Sequence, residues 1–236
     1  MTGDPATAEA PASVGVLCLQ TSFEKIPGHI RNPGTFDFPV AYRVVEGATP
    51  ARVVNEADPA LLTPFVDAAR DLEAAGVAAI TGACGFLILF QRELAASVGV
   101  PLYTSSLVQL PMVAAMLGGR APVGLLAADE SALTARHLAA AGAADVAVKV
   151  AGMRTSAEFR EVMMEGRRDR LDVDRLEADV LAQADTLDGV GAVVIECTDL
   201  VPFASAVQRR LGVPVFDIVT LTNMVHATLT RRPYPR

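Results

Sequence analysis

Val77-Ala-Ala-Ile-Thr-Gly-Ala-Cys84 and Val190-Gly-Ala-Val-Val-Ile-Glu-Cys197 are two versions of one phrase, and each runs on to a Gly-Val-Pro, at Gly99-Val100-Pro101 and Gly212-Val213-Pro214. The second copy lies 113 positions after the first at both landmarks. A short apolar run bounded by turn formers reads as a buried strand, and similarity at a fixed offset reads as duplication. Each cysteine is therefore predicted to end a strand and open a helix in its own half of the chain.

The neighbouring segments fit that frame. Val14-Gly-Val-Leu-Cys-Leu19 and Val123-Gly-Leu-Leu-Ala-Ala128 share a Val-Gly-x-Leu pattern and read as the buried first strand of each half. Asp58-Pro59 supplies an N-cap and a first-turn proline; Leu62, Phe65, Val66, Ala69 and Leu72 follow helical spacing, and Gly76 closes the helix. Strand 77–81, a turn at 82–85, a helix to Ser97 and strand 102–104 complete a β-α-β unit. In the second half the pattern predicts a helix from Ser131 to Gly142, a strand over 146–150, and a capping box in Thr155-Ser-Ala-Glu158. A helix over 174–185 and strand 192–196 then lead to Cys197.

Strands alternating with helices imply an α/β fold: two pseudo-symmetric halves, each a mostly parallel sheet flanked by helices, with a cleft between them. The expected boundaries are a flexible tail over residues 1–12, a first half over 13–119 carrying Cys84, and a second over 120–236 carrying Cys197. The joint falls at Gly118-Gly-Arg-Ala-Pro122.

Composition narrows the function classes. The 236 residues are 51% apolar and 5% aromatic, without tryptophan, and carry a net charge of −7. An acidic chain without a basic patch offers no counterion-release term, which argues against nucleic acid and anionic membranes as partners. The Arg167, Arg168, Arg170 run is interleaved with Asp169 and Asp172 and reads as a solvated helix end. No apolar run, 86–90 included, approaches the roughly 20 residues that span a bilayer. Residues 1–12 lack the basic and apolar regions of a signal peptide. A cytoplasmic location is expected, where the three cysteines stay thiols.

Ligands of parallel sheets bind beyond the carboxyl ends of the strands, where both repeated cysteines fall. Two thiols on one cleft can exchange a proton with an α-carbon, one as base and one as acid. A helix N-terminus lowers a thiol pKa from its usual ~8.5 and offers N–H groups to the charge that builds on a carboxylate. Gly85 and Phe86 follow Cys84, and Gly85 permits close approach of a carboxylate to the backbone. Thr198 follows Cys197 with a hydroxyl and an N–H. Gln20, Thr21 and Ser22 end the first strand on the same side, and Pro27-Gly-His-Ile-Arg-Asn-Pro-Gly34 reads as a shaped flap whose Arg31 or Asn32 reads the far end of a substrate.

On these motifs the chain resembles the aspartate/glutamate racemase superfamily, which includes hydantoin racemases, maleate isomerases and arylmalonate decarboxylases. Glu196-Cys197-Thr198-Asp199 is similar to the superfamily's Gly-Cys-Thr second-cysteine motif, while Ala83-Cys84-Gly85-Phe86 keeps the first cysteine but not the usual Cys-Asn-Thr. The resemblance implies Cys84 and Cys197 as the acid/base thiols, Thr198 as a carboxylate contact, and no cofactor. It implies a racemase or epimerase of an amino acid, hydantoin or related small carboxylate, with maleate-type isomerisation, malonate decarboxylation or non-catalytic sensing as alternatives. Gln20 and Asp199 stand where glutamate racemases carry an acidic residue and a histidine, so glutamate is not the expected substrate.

The other candidates have plainer readings. Cys18 lies inside a strand without a repeat partner and reads as core. His29, His137 and His226 lack metal-ligand spacing; the last two read as surface or packing residues and His29, in the flap, as a possible substrate contact. Asp199 suits either tuning Cys197 or capping the helix beside it. Met163-Met164 reads as helix packing. A homodimer is the expected assembly.

Overall fold

In the computed structural model, residues 13–231 are described; the expected tail over 1–12 lies outside them. The first half contains strands β1 (Val14–Cys18), β2 (Val40–Val44), β3 (Ala79–Gly82) and β4 (Leu102–Tyr103) with helices α1 (Leu62–Ala74), α2 (Gln91–Ala96) and α3 (Leu110–Leu117). The second contains β5 (Val123–Ala127), β6 (Val148–Gly152), β7 (Ala192–Ile195) and β8 (Val215–Phe216), with α4 (Ala135–Ala140), α5 (Ala157–Phe159), α6 (Val173–Asp185), α7 (Ala204–Leu211) and α8 (Ile218–Leu229). The sheets run β2-β1-β3-β4 and β6-β5-β7-β8, with every pairing parallel. The registers repeat as well: Val14 faces Val40 and Ala79, as Val123 faces Val148 and Ala192. The fold class read from the repeated phrase is the one observed.

The shared Val-Gly of the first strands has a packing cause. A Cβ on Gly15 would lie 3.0 Å from Leu72 of α1, and one on Gly124 would lie 3.2 Å from Val190 and 3.3 Å from Leu187. Glycine lets the covering segment settle onto each sheet.

One apolar cluster runs through both halves, joining Leu17, Phe65 and Ile80 to Phe159, Leu176 and Leu200. A second joins Ile88, Leu107 and Leu110 to Leu125 and Val194. Hydrogen bonds from Ser106 Oγ to the Ile195 carbonyl (2.7 Å) and from Thr198 Oγ1 to the Ala83 carbonyl (2.9 Å) stitch the halves beside the cysteines. Among the described residues no helix is long and apolar enough to cross a membrane.

Three local expectations change. The helix predicted from Ser131 begins at Ala135, because Asp129 draws Ser131 into a side-chain turn and Thr134 with His137 forms the capping box. The strand predicted at 146–150 is shifted to β6, in register with β5. The cap predicted at Thr155 belongs to Ser156: its Oγ accepts from Phe159 N (3.1 Å) and donates to Asp179 (2.6 Å). Glu158 turns instead to Arg168 and to the amide of Asp172, so Arg168 at least is anchored rather than merely solvated. Replacing a capping serine costs about 1 kcal/mol. Ser156→Ala is therefore expected to lose about 1 to 2 kcal/mol in denaturant unfolding, since the Asp179 bond goes too, and Thr155→Ala less than about 0.5 kcal/mol.

Candidate active site

The two cysteines occupy equivalent joints. Cys84 follows β3 and caps a 3-10 turn, Gly85–Phe90, that runs on into α2; Cys197 follows β7 and caps a 3-10 turn, Thr198–Phe203, that runs on into α7. Both have extended backbones, which turn the chain from strand to helix at the carboxyl edge of the sheet. A small cavity of about 30 Å³ is lined by both cysteines together with Gly85, Glu196, Thr198 and Asp199.

Its remaining walls come from segments beyond the ends of β1, β2 and β6. The loop after β1 brings Thr21, Phe23, Lys25, His29 and Arg31. Two short π-helical turns, Ala51–Asn55 and Arg160–Met164, sit in matching places after β2 and β6 and bring Val54 and Met163 with Met164; Phe159 lies beside the latter pair. Such turns recur at functional sites because the wider backbone re-aims side chains.

Of the residues expected to touch substrate, Thr21, Arg31, Gly85, Thr198 and Asp199 line this cavity with the two cysteines. Three stand elsewhere. Gln20 is exposed and its Oε1 accepts from Gly47 N (2.8 Å). Asn32 braces the flap, donating to the Lys25 carbonyl (2.6 Å) and accepting from Gly34 N (2.9 Å). Phe86 is buried edge-on against His137 at 5.0 Å.

Among the wall residues that sequence reading missed are Phe23, Lys25, Phe159, Met163 and Met164. Met163 and Met164 pack, as expected, but do so as part of the wall. The signal for them was the pair of π-turns, which no apolar period betrays.

Asp199 makes no helix cap. Its Oδ2 lies 3.9 Å from Cys197 Sγ and its Oδ1 lies 2.7 Å from His29 Nε2. Arg31 N donates to His29 Nδ1 (2.9 Å), which leaves Nε2 as the ring nitrogen that donates to Asp199. The result is a chain from flap to thiol, with Asp199 held as acceptor. At the opposite end Thr21 Oγ1 accepts from both Lys25 Nζ (3.0 Å) and Arg31 Nη1 (2.8 Å), and Lys25 lies over the Phe23 ring. Burial lowers the Lys25 pKa to about 7, partly offset by the Asp199 charge.

The thiols are not acidified in the way the helix-start argument anticipates. Burial, then the charge of Glu196, pushes Cys84 well above its ordinary value, and the amides of Phe86 and Leu87 do not compensate. Burial and the charges of Asp199 and Glu196 raise Cys197. Cys197 is buried and Cys84 half-buried, and a short 3-10 turn aligns few peptide dipoles. A thiol here needs a neighbouring acceptor to become a base, and Cys197 has Asp199. Cys18, buried in β1, is raised to about 11 by burial and belongs to the core.

Comparison with known proteins now places the chain. The profile described as Asp/Glu/Hydantoin racemase matches residues 46–223. The chain is 33% identical over 235 residues, or 94% of its length, to dimethylsulfoniopropionate lyase 6 of Emiliania huxleyi (strain CCMP1516), and covers 61% of that relative. It is 29% identical over 218 residues to dimethylsulfoniopropionate lyase of Durusdinium sp. clade D, 88% of this chain and 72% of the relative. Among solved structures it is similar to allantoin racemase of Pseudomonas fluorescens (TM-score 0.59, 18% identity, 95% of this chain and 99% of that one). It is also similar to arylmalonate decarboxylase (TM-score 0.58, 16% identity, 92% of each chain). These two likenesses are of fold.

Proposed function

This chain belongs to the Asp/Glu/hydantoin racemase family, and we propose that it is an enzyme that removes the α-proton of a small carboxylate with a cysteine base and then expels a β-substituent, as a lyase of the dimethylsulfoniopropionate type. The observation that carries the proton-transfer step is the placement of Cys197 on the cavity with its sulphur against the Asp199 carboxylate. The lyase outcome is supported by relatives of that name at 33% identity along 94% of the chain. The cavity's chemistry agrees. Lys25 and Arg31 offer positive charge to a carboxylate, while Phe23, Phe159, Met163 and Met164 offer an aromatic and thioether wall to a dimethylsulfonium group.

The thiol proton passes to Asp199 and the thiolate takes the α-proton. The C–H electron pair moves onto the carboxylate as an enediolate, then returns to form the carbon–carbon double bond as the C–S bond breaks. Neutral dimethyl sulfide leaves with that bonding pair, and acrylate remains. The leaving group needs no acid.

Racemisation is the second reading, favoured by one observation: Cys84, from the other half, lines the same cavity, as inversion with an acid on the opposite face requires. The test is incubation of the reduced protein in D₂O with dimethylsulfoniopropionate, amino acids, hydantoins, malonates and maleate, followed by NMR. Acrylate and dimethyl sulfide from the first compound alone are expected. α-Deuteration of an amino acid or hydantoin with its skeleton intact establishes the racemase instead. Loss of carbon dioxide from a malonate, or fumarate from maleate, moves the protein to the decarboxylases or isomerases. Ligand-induced thermal stabilisation without any turnover overturns the enzyme reading in favour of a sensor.

A further inference from the structure

The cavity contains a buried carboxyl group with half of its hydrogen-bonding capacity unused. Glu196 is 1% exposed, immediately precedes Cys197 and lines the cavity. Its Oε2 accepts from Ala128 N (3.0 Å), at the carboxyl end of β5. Its Oε1 has no partner, and of the buried side-chain atoms without a partner among the described residues it alone belongs to a cavity-lining residue. Gly85 lies so near that a Cβ there would come 2.1 Å from Oε1. Two of the neighbouring side-chain donors are committed elsewhere, Thr198 Oγ1 to the Ala83 carbonyl and His29 Nε2 to Asp199.

Three acidic groups surround it, Cys84, Cys197 and Asp199, and the cavity's other titratable groups are Lys25 and His29, with Arg31. A substrate carboxylate would add another negative charge. An ionised Glu196 would repel both that carboxylate and the enediolate that follows, whereas an uncharged one can donate to either. The amide of Ala128 fixes Oε2 as the acceptor oxygen, which assigns the hydrogen to Oε1.

We propose that Glu196 is a catalytic hydrogen-bond donor, an uncharged carboxylic acid whose Oε1–H holds a substrate carboxylate oxygen as negative charge builds there. This rests on the proton-abstraction reading above. It adds a side-chain donor of opposite pH dependence to the thiols: they need to lose a proton, and Glu196 needs to keep one. Burial raises its pKa to about 8, the Asp199 charge adding to the shift and the Ala128 amide opposing it. The donor is thus intact at neutral pH and lost above about 8.

The test compares wild type with E196Q and E196A. E196Q keeps an uncharged donor at every pH and is expected to retain kcat/KM for dimethylsulfoniopropionate within about threefold at pH 7. The ratio of E196Q to wild type then rises about tenfold per pH unit above about 8, because only wild type loses its donor; taking the ratio cancels the titration of the thiols. E196A is expected to fall by about 10²-fold at pH 7, the usual cost of one oxyanion donor. Thermal unfolding gives a readout that needs no turnover. Folded wild type holds the Glu196 proton over a range in which an unfolded carboxyl near 4.5 has released it. Wild-type stability therefore drops with rising pH between about 4.5 and 8, and E196Q escapes the drop. The difference in Tm should widen in favour of E196Q across that window and level off above it. A difference independent of pH, or E196Q as impaired as E196A, overturns the proposal. Inactivity of wild type on the whole panel with a widening difference in Tm would sink the proposed reaction while leaving Glu196 uncharged in the folded protein.

Discussion

Cys197→Ser is expected to lower kcat/KM for dimethylsulfoniopropionate by about 10⁴-fold, the upper range for removal of a positioned general base. Serine keeps the shape of the site, but its hydroxyl is a far weaker acid than a thiol, and Asp199 cannot make it a base toward carbon. Because Asp199 acts through the thiol, Asp199→Asn should fall less, by about 10²-fold. Cys84→Ser separates the two reactions. Elimination through Cys197 leaves that variant within about tenfold of wild type, whereas inversion needs both thiols and loses both. Continuous detection of acrylate with purified, reduced variants, alongside α-deuterium exchange in D₂O, reads all three. Activity of Cys197→Ser within tenfold of wild type removes Cys197 from the mechanism.

Gly85→Ala is expected to disturb the site more than any other single methyl group there. The added Cβ would lie 2.1 Å from Glu196 Oε1 and 2.4 Å from the Glu196 carbonyl oxygen, so the first half cannot relax by a side-chain rotation alone. The segment carrying Cys84 and the segment carrying Cys197 must separate. Overpacking of this kind costs about 3 kcal/mol, which for a chain of this size lowers Tm by roughly 6 to 12 °C. Gly99→Ala is the control: its Cβ would meet only the end of the Glu73 side chain, at 3.2 Å. Differential scanning calorimetry of the two variants checks the contrast. Equal Tm values would mean that the halves yield freely at Gly85, and that Glu196 is not held there.

The halves were legible because strand and turn are written locally. An apolar run of four to six residues bounded by turn formers fits a buried strand, and a second copy 113 residues on points to a second sheet. Helix starts were less legible where two neighbouring hydroxyl residues compete. Thr155 and Ser156 are equal candidates in sequence, and the choice fell to the one within reach of Asp179 on α6. Ser131 lost to Thr134 because Asp129 offered it a shorter-range partner.

The same division runs through the site. Sequence alone determined the α/β duplication, the position of Cys84 and Cys197 at strand ends, and the hydroxyl and carboxylate beside Cys197, because each is a statement about residues adjacent in the chain. Tertiary structure decided which side chains share the cavity. Phe23 and Lys25 arrive from the loop after β1, Phe159 and the methionines from the segment after β6, and neither group carries a local signal for its target. It also decided the protonation logic. Closing protein around two thiols and Glu196 removes the water that would solvate their charges, so burial outweighs the short turns expected to acidify the cysteines. Glu196 follows β7 in sequence, yet its free oxygen has meaning only because Gly85, brought over from the other half, leaves it room.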